Sequence, residues 1–117
     1  MIPAAIRIFV CTEAVDMRLG FDRLAQVARE KVGHDPVAGG GALFVFAGKT
    51  ATRLKVLWFE GHGMCMLYKR LHRAVFELPA GPIGSTAVHI DSVELAKLLA
   101  GVAREKSARR EKARAVA

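Results

Sequence analysis

Cutting or joining a phosphodiester with metal ions needs two or three carboxylates that converge. The acids of this chain do not converge: Glu13, Asp16 and Asp22 lie around a turn and the start of a helix, Glu60 sits in a hairpin signal, and Glu77, Asp91 and Glu94 are dispersed. No predicted strand carries a central carboxylate with a second acid placed to meet it. Caps and solvated faces account for most of them. The two cysteines, Cys11 and Cys65, and the four histidines lack the close paired spacing of metal-binding loops. No Ser or Cys stands in an elbow-like context, and Gly39-Gly40-Gly41 lacks the Lys and Ser or Thr of a phosphate loop. The sequence therefore predicts no catalytic residues, no metal and no cofactor.

The cations are more informative. Lys and Arg number 18 against 11 Asp and Glu, a net charge of +7 with a pI near 10.0. That balance favours a polyanionic partner, either nucleic acid or an anionic membrane surface. The membrane option is weak, because the longest apolar run, residues 42–47, is far short of the ~20 needed to span a bilayer. No basic region precedes the N-terminal apolar stretch, and Arg7 interrupts it, so a signal peptide is not expected. Cys11 and Cys65 each lie in an apolar segment and read as small hydrophobes of a cytoplasmic protein.

Three places could contact phosphate. Residues 53–59 and 64–71 flank Glu60-Gly61-His62-Gly63, a hairpin signal. A simple hairpin puts Lys55 opposite Tyr68 and Arg53 opposite Arg70. Alternation then gives a core-like face of Leu54, Val56, Trp58, Cys65 and Leu67. The other face shows Arg53, Lys55, Tyr68 and Arg70 beside Leu57, Phe59 and Met66. Like charges placed opposite cost a few tenths of a kcal/mol each, a cost that a bound anion relieves. The bland alternative is a solvated face whose charges discourage aggregation. By parity Lys69 points away from Arg70, so the two cannot serve one flat surface. The second place is the C-terminal segment from Arg104 on, including Arg109 and Arg110. Its six cations against two acids supply four of the seven net charges, suited to salt-sensitive, sequence-blind contact. The third is Arg18, which either bonds a carboxylate across its turn or projects toward a phosphate.

The elements that position these residues follow from periodicity. Residues 6–11 read as a strand, and Phe21, Leu24, Ala25, Ala28 and Val32 recur at helical spacing up to Gly33. Residues 43–46, apolar on both faces, suggest a central strand. After the hairpin come short strands at 75–78 and 86–90. Asp91 with Glu94 resembles a capping box, and Leu95, Leu98, Leu99 and Val102 line a helix face. The predicted architecture is α+β: a mostly antiparallel meander with one helix after the first strand and one at the C-terminal end. It forms one domain over residues 1–102, followed by a basic tail, 103–117, that is a frayed helical extension or a disordered arm.

Several of these residues together resemble a known family. Asp16-Met17-Arg18-Leu19-Gly20-Phe21-Asp22-Arg23-Leu24 is similar to the "DMRKGFDGL" stretch of the small TnpB protein of IS-sixty-six-family insertion sequences. Leu43-Phe44-Val45-Phe46, then residues 54–61 with Gly63, resembles its "LFVF…KVLWWDGxG" core, and Tyr68-Lys69-Arg70-Leu71 with Phe76 and Pro79 its "KRLxxGxFxWP" ending. The resemblance covers residues 1–102. Leu19 and Ala47 stand where basic or polar residues are usual, which removes two possible phosphate contacts. The resemblance implies a non-catalytic accessory protein of transposition, with the catalytic acids on a separate large transposase. Its expected partners are insertion-sequence DNA, the transposase of the same element, or both. The alternative is a module that docks the transposase through Leu57, Phe59 and Met66 without DNA affinity of its own.

Overall fold

The computed structural model of the chain describes residues 6–38 and 41–116. Gly39 and Gly40 of the glycine-rich loop, and the Arg114 side chain, lie outside the described residues. A five-stranded sheet has the order β4-β3-β2-β1-β6, formed by β1 (Ile8–Cys11), β2 (Leu43–Ala47), β3 (Arg53–Glu60), β4 (Gly63–Arg70) and β6 (Ala87–Ile90). Three of its four ladders are antiparallel; β1 and β2 run parallel. That one parallel step requires a crossover, which α1 (Phe21–Val27) and the π-helical turn Ala28–Val32 supply. Gly33 ends the turn at φ 85°, a left-handed conformation that glycine adopts without penalty.

The sheet is covered on both sides. Leu43, Val45, Leu54, Val56, Ile8 and Val10 face α2 (Ser92–Ala100), where Leu95 and Leu98 meet them. Phe44, Phe46 and Leu57 face α1, where Leu24, Ala25 and Ala28 close the second layer. Strand β2 is thus buried along its whole length, as a continuous apolar run in the middle of a sheet should be. Asp91 and Glu94 cap α2 reciprocally, each side chain bonding the other's backbone N–H.

The predicted α+β class is observed. Expected strand 75–78 shortens to β5 (Ala74–Val75), which pairs not with the main sheet but with β7 (Val102–Ala103). After Gly101 (φ 74°) the chain makes that bridge and then forms α3 (Arg104–Val116). The basic segment is therefore a separate helix rather than a continuation of α2. It is also docked, because Ser107 is buried and Arg110 pairs with Glu77.

A candidate nucleic-acid interface

The β3–β4 hairpin takes the expected register. Arg53 faces Arg70, Lys55 faces Tyr68 and Phe59 faces Met64. Gly61 at φ 60° is the first of the two turn residues, and His62 keeps a negative φ, the pattern of a II′ turn. Arg53 and Arg70 are both exposed, and neither has a carboxylate partner among the described residues. Tyr68, beside them, is 52% exposed.

The face they occupy is not an open ribbon. The turn before α1 and α1 itself cover most of it, so Lys55 is only 7% exposed. Its Nζ donates to the Leu19 carbonyl at 2.8 Å and lies 5.0 Å from the centre of the Tyr68 ring. Lys55, expected on the surface, is an internal strut that holds the α1 turn against the sheet. The expected apolar patch is closed for the same reason: Leu57 is fully buried, and Phe59 and Met66 are half-buried. The side chains alternate as the pattern predicts, but a second layer, which strand alternation cannot show, covers the polar-looking face.

The remaining candidates separate. Lys69 lies on the α2 side, and its Nζ donates to the Leu99 carbonyl at 2.7 Å, where a cation complements the end of α2. Arg18 takes the bland option: its Nη2 and Nε bond the Asp16 carboxylate at 2.9 and 3.1 Å, and its backbone N–H donates to the same group. These bonds hold the Asp16 carboxyl down at about 2 and raise the Arg18 guanidinium. In α3, Arg110 is committed to Glu77, whose other carboxylate oxygen, Oε2, is buried with no hydrogen-bond partner among the described residues. Arg109 is exposed. At 100° per residue it lies opposite the buried Ser107, with Lys106 and Lys112 on either side of it.

Arg53 and Arg70 lie at one end of the sheet, and α3 docks beside the β2–β3 turn at that end with Lys106, Arg109 and Lys112 on its outer face. The Leu71 N–H donates to the Thr52 carbonyl at 2.8 Å, and the Phe76 N–H to the Ala51 carbonyl at 2.7 Å. The second bond ties the Arg53–Arg70 end of the hairpin to the residue that follows β5. A cavity of about 480 Å³ between the β2–β3 turn and α3 is lined by Lys49, Thr50, Ala51, Arg104 and Ser107 among others. Ala51 and Arg73 at this end both take left-handed backbone at φ 59°, which costs about 1 kcal/mol or more for a residue with a side chain. Sequence reasoning missed Lys49 and the docking of α3. The one available signal was Ser107-Ala108, two small residues that interrupt the charged run from Arg104 to Lys112. Among the described residues no three His, Cys, Asp or Glu side chains come together as metal ligands, and no helix is long and apolar enough to cross a membrane.

The profile of the IS66 Orf2-like proteins matches residues 6–109. The chain belongs to this family. The match extends past residue 102, where the resemblance was expected to end, and so takes in the first half of α3. Similar curated proteins include two from Sinorhizobium fredii (strain NBRC 101917 / NGR234). "Uncharacterized protein y4hO" is 38% identical over 104 residues, covering 87% of each chain. "Uncharacterized protein y4jC" is 33% identical over 97 residues, covering 83% of this chain and 80% of its own. No solved structure matches. Membership associates this IS66 Orf2-like protein with transposition, in an accessory capacity.

Proposed function

We propose that this protein is a non-catalytic accessory factor that binds insertion-sequence DNA beside its partner transposase. The contact surface is the basic end of the sheet: Arg53, Tyr68 and Arg70 on the hairpin, and Arg109 with Lys106 and Lys112 on the outer face of α3. One observation carries this reading. Arg53 and Arg70 are cross-strand neighbours, both exposed, without a carboxylate to neutralise them among the described residues. Such a pair is destabilising by a few tenths of a kcal/mol, and a bridging phosphate removes that cost. Lys55 and Lys69 hold the helices that frame the surface, and Arg18 shapes the turn before α1. These three are positioning residues.

The test is fluorescence anisotropy of labelled element-end DNA and scrambled DNA across a salt series, with the double variant Arg53→Gln/Arg70→Gln. Loss of two phosphate contacts should lower the slope of log affinity against log salt by about 2. An unchanged slope would show that the hairpin does not touch DNA. A slope that falls instead in Lys106→Gln/Arg109→Gln/Lys112→Gln would place the contact on α3 alone.

A further inference from the structure

Strand β4 is eight residues long, lies at the edge of the sheet, and pairs with β3 without interruption from Glu60↔Gly63 to Arg53↔Arg70. In a hairpin closed by a two-residue turn, the closing pair exchanges both backbone hydrogen bonds, and every second pair after it does the same. The Leu71 N–H on the Thr52 carbonyl continues that series. On β3, the Gly48 N–H donating to the Arg53 carbonyl shows the odd-numbered residues turned toward β2. It follows that Met64, Met66, Tyr68 and Arg70 point their backbone N–H and C=O groups away from β3, out of the sheet.

Proteins protect such an edge with prolines, bulges, short strands or a lysine. β4 has no proline and no bulge. Its one lysine, Lys69, is turned inward onto the Leu99 carbonyl. Two of the large apolar side chains left exposed, Leu67 (40%) and Tyr68 (52%), are neighbours on this same strand. Leu67 also forms part of the wall of an apolar groove of about 600 Å³ shared with Trp58, Val56, Leu95 and Leu99.

We propose that β4 pairs antiparallel with β4 of a second copy of this chain, joining two five-stranded sheets across a two-fold axis. With the axis at Leu67, all four outward residues find partners: Met64 with Arg70, and Met66 with Tyr68, each of the other copy. The side chains agree with that register. Tyr68 meets the thioether of Met66, Leu67 meets its own counterpart, and Lys69 lies opposite Cys65. No cation faces a cation, and the two Arg70 residues fall at opposite ends of the paired segment, about 20 Å apart. This self-complementarity is what selects a second copy over an unrelated strand. The dimer presents two copies of the basic end, but the pairing does not depend on DNA binding and is tested without it.

The experiment is sedimentation of the full chain over a wide concentration range, beside three variants. Met66→Pro removes an outward N–H that β3 does not use, so the fold should survive. Leu67→Lys sets like charges against each other at the axis. Leu67→Cys in a Cys65→Ser background should form an intermolecular disulfide on oxidation, since Cα atoms at such a non-hydrogen-bonded pair lie about 4.5 Å apart; Tyr68→Cys should not. The expected result is a species of twice the 12.7 kDa chain mass, reduced to monomer by Met66→Pro and Leu67→Lys with the circular dichroism of the parent. Should Met66→Pro fail to fold, Leu67→Lys and the cross-link still decide. A parent that is monomeric throughout, a dimer that both variants leave intact, or a dimer without the Leu67→Cys cross-link would each overturn the proposal.

Discussion

Replacing Lys55 by Met separates a strut from a phosphate contact. The substitution keeps the length of the apolar stem and removes the ammonium that donates to the Leu19 carbonyl and faces the Tyr68 ring. A hydrogen bond from a charged donor contributes about 1.5–3 kcal/mol, and a partly desolvated cation–π contact adds about 1 kcal/mol. Against these stands the cost of desolvating an ammonium on a residue only 7% exposed, which the variant no longer bears. The expected net loss is about 1–2 kcal/mol, a fall in Tm of roughly 4–8 °C for a chain of this size. Urea unfolding followed by the fluorescence of Trp58, the single tryptophan, measures it at one fixed protein concentration. The salt dependence of DNA affinity should stay as in the parent. A variant of undiminished stability whose salt slope drops by about 1 would refute this reasoning and return Lys55 to the binding surface.

Three further outcomes are expected. Asp91→Ala removes half of the α2 capping box and should cost about 1 kcal/mol in urea unfolding. Gly101→Ala should cost more, about 2 kcal/mol, because the added Cβ would come within 2.5 Å of a Leu71 methyl at a backbone φ of 74°. The Asp16 carboxyl is held at about 2 by Arg18, below its ordinary value. Its pair therefore contributes fully above about pH 4 and is lost as pH falls toward 2. Carboxyl NMR titration of Asp16 should give a midpoint near 2 that returns to the ordinary aspartate range in Arg18→Gln.

The hairpin register, the capping box and the doubly buried β2 were legible because each rests on local pattern: turn chemistry, an i, i+3 pair, and an apolar run. The exposure of Lys55 and Leu57 was not legible. Strand alternation tells which residues share a face but not whether a helix from elsewhere lies over it, and here α1 does. The same limit hid the β5–β7 bridge, two residues on each side, too short to leave a periodic signal. The residue types around Arg18 allow both a turn contact and a projecting cation, and the bond to Asp16 decides its geometry. Of the candidate contacts, Arg53, Tyr68, Arg70 and Arg109 stand exposed where a polyanion can reach them, while Arg18 and Arg110, also exposed, are paired with Asp16 and Glu77.

The position of β1 has a consequence for how the chain reaches its native state. Strands β2, β3 and β4 are joined by short turns and can zip up locally. β1, made first, sits between β2 and β6, and Ile8 finds its partner in Ile90. Closing that last ladder brings distant parts of the chain together, and its entropy must be met before any contact rewards it. On the ribosome, β1 waits with one edge unsatisfied until residue 90 has emerged. During that interval the nascent protein carries an exposed strand made almost wholly of Ile, Phe and Val, and it is then most prone to associate with the wrong neighbour.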